Sequence, residues 1–373
     1  MLKKKSMRIG VVLTSLSLAI GSTSAAQAAY KSNSAARVGD DCYRLGSIAK
    51  ARGVDGTNLI CMVVSTGSFK GTQKWWYPDL KPLKNIDWTV PANPGGYSLT
   101  SNAISDTLKA EGLLSTYSSV YKPGAGGAVG LAAFQEIKGK SDAALITGIA
   151  MVGGLPSNKS TLELRDSTPI AKVMREYDAI VVPANSKYRN LQQLLADIKA
   201  NPGSVPIAGG NKGGIDHQVM GLLAQTQGIK ATALNYVVYS GGTEVIASVL
   251  SGATKAAISG SSEFAAYVAS GKLRALGISS AKPLKTFRAK TFISQGVKLV
   301  YGNWRGVMAP ADISEADRLN FAKVMDAMHS TPTWLAVVAA NNWDNEFAAG
   351  NAFKAFLDEE VPLVYGVIKE LGI

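Results

Sequence analysis

The chain has 373 residues, 46% of them hydrophobic and 18% charged, which excludes a disordered chain and leaves core enough for two domains or one large one. The formal net charge is +12, yet the Lys and Arg residues are scattered, with no run dense enough to follow a phosphate backbone. A nucleic-acid partner fits this pattern poorly and none is expected, while mild basicity of this kind draws small anions towards a protein.

The first residues read as an export signal. Lys3, Lys4, Lys5 and Arg8 form a positive start, Ile9 to Ile20 is apolar but too short to span a bilayer comfortably, and Ala26-Gln27-Ala28 offers a cleavage site. A signal peptide over residues 1–28 is expected, with retention as an anchor the alternative. No cysteine stands at the end of the apolar run, so a lipid anchor at the cleavage point is not expected. The mature chain is expected to be soluble and extracytoplasmic, in the periplasm or cell envelope. In that oxidising setting the two cysteines, Cys42 and Cys61, are expected to pair rather than remain as buried thiols. Loop-closure entropy puts such a bond at about 3 kcal/mol.

Residues 29–85 differ in texture from the rest. They hold both cysteines, a hairpin-like Val54-Asp55-Gly56-Thr57 turn, strand candidates at Asn58 to Val64 and Gln73 to Tyr77, and a Trp75-Trp76-Tyr77 cluster. This predicts a small disulfide-stapled β module, too small for a core of its own without the staple. An extension packed on the main body is the other reading.

From residue 86 the pattern is α/β. Short β-rich runs at Asp87 to Val90, Ser118 to Tyr121, Ala143 to Thr147, Ala179 to Val182, Asn235 to Tyr239, Ala256 to Ser259 and Ala275 to Ser279 alternate with amphipathic stretches. Among the latter, Leu191 to Ala200 is stopped by Asn201-Pro202-Gly203 and Glu244 to Leu250 by Gly252. The alternation predicts mostly parallel sheets with helices on both faces. The C-terminal part reads as helix: one capped at Ser314 and running through Met328, one near Thr333 to Ala340, one over Ala352 to Leu371.

Four loops repeat one design, in which a strand ends, glycines or small hydroxyl residues follow, and a helix begins. They are Pro94-Gly95-Gly96-Tyr97-Ser98, Pro123-Gly124-Ala125-Gly126-Gly127, the segment Gly209 to His217, and Ser240-Gly241-Gly242-Thr243. Glycine lets the backbone approach a ligand, and the helix behind it aims unpaired N–H groups at an anion. Each loop alone is better explained as a tight turn. Together they give an α/β protein with anion-friendly loops.

The ordered set of Val90 to Gly96, Pro123 to Gly127, Thr168-Pro169-Ile170-Ala171, Val182-Pro183-Ala184, Gly209 to His217, Tyr239 to Thr243, Gly271 to Leu276 and Asn303-Trp304-Arg305-Gly306-Val307 resembles the substrate receptors of tripartite tricarboxylate transporters. The resemblance runs from about residue 86 to the C-terminus. It implies a two-lobed periplasmic-binding-protein fold of type II that closes on its ligand by a hinge. Lobe 1 would hold residues 86–180 and 304–373, and lobe 2 residues 181–303. By position, Gly95, Gly96, Tyr97 and Ser98 would hold a ligand carboxylate from one side. Asn211, Gly213, Gly214 and Asp216 would answer from the other, with Thr147, Gly148, Ser240, Gly241, Gly242, Ser259 and Ser261 completing the walls. A small carboxylate ligand (tricarboxylate, dicarboxylate or related acid), a permease of one large and one small subunit, a monomeric state and no cofactor follow from the same resemblance. The first loop departs from the family's pattern: Tyr97 replaces a glycine, Leu99 stands where Asp is usual, and Ala103 where Arg is usual.

Arg305 either pairs with a second ligand carboxylate or braces the lobe crossing. His217 is expected to hydrogen-bond locally, since a metal would need more partners than the chain offers; no metal site is expected. Glu244 and Glu263 read as helix-opening acids with a structural role. An enzyme is the main rival. Gly124 to Gly130 only faintly resembles a dinucleotide fingerprint, no Gly-x-Ser-x-Gly occurs, and a triad of Asp216, His217 and Ser259 or Ser261 has no sequence signal to position it. The reading is a binding protein without catalysis, with an envelope adhesion or structural protein on a degenerate binding fold as the alternative and an exported hydrolase as the remoter one.

Overall fold

The computed structural model describes residues 35–373, so the expected signal peptide lies outside the described residues. The N-terminal part is a four-stranded sheet of β1 (Ala35–Ala36), β2 (Ile48–Ala51), β3 (Asn58–Val63) and β4 (Gln73–Trp76), in that spatial order. Cys42 and Cys61 are joined in a disulfide, as expected. The Val54 to Thr57 turn is present: Thr57 Oγ1 donates to the Val54 carbonyl at 2.6 Å, and Gly56 takes a left-handed φ of 74°. This sheet buries Leu59, Cys61, Trp75, Trp76 and Tyr77, and it completes its core by docking on the body. Tyr77 Oη donates to Asp326 Oδ2 at 2.6 Å, Lys323 pairs with Asp79 at 2.7 Å, and the Ser68 N–H donates to Glu111 at 2.8 Å.

The body begins with β5 (Leu83–Val90), α1 (Gly96–Ala110), β6 (Leu114–Tyr121), α2 (Ala128–Gln135), β7 (Ala143–Gly148) and α3 (Ile149–Ser157). Then come β8 (Thr168–Pro183), α4 (Leu191–Ala200), β9 (Ile207–Gly209), α5 (Ile215–Thr226), β10 (Tyr236–Val238), α6 (Gly242–Ser251), β11 (Ala256–Gly260), α7 (Ser261–Ala269) and β12 (Leu273–Ile278). The chain finishes with β13 (Gly302–Ala309), α8 (Glu315–His329), α9 (Pro332–Asn341), β14 (Ala348–Ala349) and α10 (Asn351–Leu371).

One strand organises these elements. The main path runs β10-β9-β11-β8-β13-β7-β5-β6, with β12 and β14 also pairing to β8. Up to Tyr177, β8 pairs with β13 and β14; from Asp178 it pairs with β11 and β12. The chain changes partners again where β13 begins, at Gly302 opposite Tyr177. A half built on β5, β6, β7 and β13 therefore meets a half built on β9 to β12 across a narrow waist. A second apolar cluster, including Val181, Val245, Val249, Phe264 and Phe287, fills the latter half.

The sheet is more mixed than expected. β5 pairs parallel with β6 and β7, and β9 with β10 and β11, but every partner of β8 is antiparallel to it, and β13 is antiparallel to β7 as well. The physical reason is that β8 and β13 carry the chain across the waist in opposite senses. The helical C-terminal part agrees closely with its expectation, down to Ser314 Oγ accepting the Asp317 N–H at 3.1 Å as an N-cap.

Candidate functional site: an inter-lobe cavity with unpaired polar groups of both signs

The glycine loops of the two halves meet at the waist. The Asn93 N–H donates to the Ser240 carbonyl at 3.0 Å, Thr243 Oγ1 to the Pro94 carbonyl at 2.8 Å, and Asn93 Nδ2 to Glu244 at 2.6 Å. Lower in the cleft Asn211 Nδ2 donates to the Ala150 carbonyl at 3.2 Å. These bonds hold the halves shut around a cavity of about 60 Å³. Close approach of the backbone demands glycine at two places. A Cβ on Gly95 would lie 2.6 Å from the Gly242 nitrogen of the opposite half, and one on Gly96 would lie 2.5 Å from Arg305 Nη2. The N-termini of α1 and α6 thus face each other across the cavity, each with backbone donors to offer.

Arg305 projects from β13 into this space at 5% exposure. Its guanidinium stacks over the Tyr97 ring at 4.4 Å, and Nη2 donates to the Asn303 side-chain oxygen at 3.1 Å. Nε and Nη1 have no partner. Buried donors left open in this way are uncommon in folded proteins and mark a place where a ligand acceptor belongs.

Four acids surround the guanidinium. Glu263, in the first turn of α7, accepts from Ser259 Oγ at 2.7 Å and leaves Oε1 without a partner. Asp216, in the first turn of α5, accepts the Gly210 N–H at 2.7 Å. Behind them on β8, Glu176 accepts from Ser262, while Asp178 lies within hydrogen-bonding reach of Asp216 and receives no donor of its own. Burial, reinforced by the Glu176 charge, pushes the Glu263 carboxyl up to about 7. Burial and the charge of Asp216 raise Asp178 well above the carboxylate range, and burial raises Asp216 as well.

Most of the sequence-derived positions come together here. Gly95, Gly96 and Tyr97 line the cavity from one half; Asn211, Gly214 and Asp216 line it from the other. Ser240, Gly241, Gly242, Ser259 and Arg305 complete the wall. Five do not reach it. Ser98 Oγ accepts the Gly95 N–H at 3.0 Å and so shapes the loop rather than the cavity. Thr147 is spent on Met151, and the Gly213 N–H on His217 Nδ1 at 3.2 Å. Ser261 is fully buried in the first turn of α7, outside the lining. Gly148 supports Arg305 instead, since a Cβ there would sit 3.3 Å from Arg305 Cδ.

The residues that sequence reasoning missed are Glu263 and Asn303 on the wall and Glu176 and Asp178 behind it. A signal existed for the last two, because a pair of acids two apart puts both on one face of a strand whose neighbours are apolar. His217 behaves as expected, stacked on Tyr236 at 4.2 Å and held down to about 4 by burial. Among the described residues no three His, Cys, Asp or Glu side chains are arranged to hold a metal ion, and no helix is long and apolar enough to cross a membrane.

A family model described as "Tripartite tricarboxylate transporter family receptor" matches residues 118–373. Protein BugT of Bordetella pertussis (strain Tohama I) is 25% identical over 305 residues, covering 79% of this chain and 91% of that protein. Two solved structures share the fold: periplasmic binding protein BugD, at a TM-score of 0.69 and 19% identity over 79% of this chain and 99% of that one, and Rpa4515 of R. palustris with adipate, at 0.70 and 16% over 78% and 98%. The fold is that of the periplasmic binding proteins, and the chain belongs to the receptor family of the tripartite tricarboxylate transporters.

Proposed function

We propose that the chain is an extracytoplasmic receptor that closes its two halves on a small organic acid and delivers it to a membrane permease of one large and one small subunit. The observation that carries the reading is Arg305: a residue 95% buried whose guanidinium has two donor nitrogens without partners, in a cavity also flanked by two helix N-termini. A carboxylate placed there receives a charge-assisted bond from Arg305 and backbone donors from the loops of both halves, and only the closed state offers both. Gly95, Gly96, Tyr97, Asn211, Gly214, Ser240, Gly241, Gly242 and Ser259 form the rest of the ligand's surroundings in this reading. The adipate held by the R. palustris relative, on the same fold, supports a carboxylate ligand. In this reading lobe 1 is residues 86–180 with 304–373 and lobe 2 is residues 181–303, a division supported by the change of partners along β8 between Tyr177 and Asp178 and by the start of β13 at Gly302.

Calorimetric titration of the full chain and of Arg305→Met with straight-chain mono-, di- and tricarboxylates tests this. Binding by the wild type, weakened at least tenfold in the variant, is the expected result. Equal affinity in the two proteins would mean that Arg305 braces the waist and holds no ligand.

A further inference from the structure

The cavity carries more acid than a receptor for plain polycarboxylates can use. Glu263 and Asp216 form part of its wall, Glu176 and Asp178 stand close behind, and one guanidinium, Arg305, faces all of them. Partnerless atoms occur here in both signs. Glu263 Oε1, Glu176 Oε2 and both Asp178 oxygens lack donors, while Arg305 Nε and Nη1 lack acceptors. A dianion would satisfy Arg305 and then add its remaining charge to the acids in a buried space, where like charges are costly. A plain amine would satisfy the acids and leave Arg305 facing another cation. A ligand with both groups meets both needs.

We propose, resting on the carboxylate-receptor reading above, that the ligand is zwitterionic, a small amino acid whose carboxylate sits on Arg305 and the α1 N-terminus and whose ammonium sits against Glu263 and Asp216. The placement of Glu263 favours this. Its Oε1 would lie 2.9 Å from a Cβ on Gly95, so the acid stands where the first glycine loop meets α6 of the opposite half. An ammonium held there bonds the half built on β9 to β12, while the carboxylate on Arg305 and α1 bonds the other half, so the two charges of one ligand together tie the halves shut. The raised Glu263 and Asp178 carboxyls report the same deficit, because acids buried beside one another without enough counter-charge retain their protons. A metal ion is a poor candidate for the missing cation, since no ligand set for one occurs among the described residues. An ammonium needs only acceptors within hydrogen-bond reach.

The test is a matched titration of the full chain by calorimetry, pairing each amino acid with the acid that lacks its ammonium: aspartate with succinate, glutamate with glutarate, alanine with propionate. Ethylamine and putrescine serve as cations without a carboxylate. At least one amino acid should bind tenfold or more tighter than its partner acid. Glu263→Gln should shrink that ratio below threefold by weakening the amino acid, and Asp216→Asn provides a second variant should the first fold poorly. If succinate, glutarate or propionate binds as tightly as its amino-acid counterpart, the cation subsite does not exist, while the carboxylate reading stands. If amines bind and no carboxylate does, or if nothing binds, both readings fall.

Discussion

Replacing Glu263 with Gln should remove a pH-dependent weakness from the folded protein. The Glu263 carboxyl titrates at about 7 in the fold, against an ordinary value of 4.5, chiefly because burial disfavours its charged form. Between those values the folded chain holds a proton that the unfolded chain has released, so stability declines as pH rises through that window. At 1.36 kcal/mol per pH unit the full effect is about 3 kcal/mol, present above pH 7 and absent below pH 4.5. Gln is a neutral near-isostere of the protonated acid. The variant should therefore match the wild type near pH 5 and exceed it by about 3 kcal/mol at pH 8. Asp178 and Asp216 contribute a similar decline to both proteins, and taking the difference between the two largely removes it. Urea unfolding without ligand, followed by tryptophan fluorescence at pH 5, 6, 7 and 8, gives the comparison. A stability difference that stays constant across that range would show that Glu263 is ionised throughout, and would undermine the description of the cavity as short of positive charge.

Three further outcomes follow from the same geometry. Gly95→Ala introduces a Cβ 2.6 Å from the Gly242 nitrogen at a φ of 169°, which any residue tolerates; it should prop the halves apart, weaken ligand binding at least tenfold and enlarge the radius of gyration measured with ligand by X-ray scattering. Tyr77→Phe removes the hydroxyl that donates to Asp326, a carboxyl that burial pushes up to about 6, and should cost about 1–3 kcal/mol in urea unfolding at pH 7. Reducing the Cys42–Cys61 bond, or replacing both residues with Ser, should destabilise the N-terminal sheet by about 3 kcal/mol, visible in the fluorescence of Trp75 and Trp76, while leaving ligand affinity unchanged.

How much of this was legible in the sequence varied with the kind of signal. Helices announced by caps and stops were readable almost to the residue: Leu191–Ala200 ends at Asn201-Pro202-Gly203, and α8 starts at its Ser314 cap. Strands with continuous apolar runs, such as Ala143–Gly148 and Ala256–Gly260, were readable for the same reason. β8 and β13 were not. Glu176 and Asp178 interrupt the apolar pattern of β8 behind the cavity, Lys172 and Arg175 interrupt it where they pair with Glu346, and β13 carries Asn303 and Arg305 in a fully buried strand because they line the cavity. Local pattern misreads such residues, whose partners come from distant segments. The glycine loops were visible as a set, and eleven of the sixteen proposed positions line the cavity. In the sequence Glu263 reads as a helix-opening acid, which it also is. Only the fold shows that its carboxylate meets the loops of both halves.

The central claim is that the two halves close on a small ligand bearing a carboxylate. Thermal unfolding of the full chain against a panel of mono-, di- and tricarboxylates, amino acids and aromatic acids tests it most directly, because a ligand bound only by the folded state raises the midpoint in step with its concentration over Kd. The account predicts a concentration-dependent rise with at least one carboxylate-bearing compound and none with the corresponding amines. A cooperatively unfolding protein whose midpoint no member of the panel moves would contradict it.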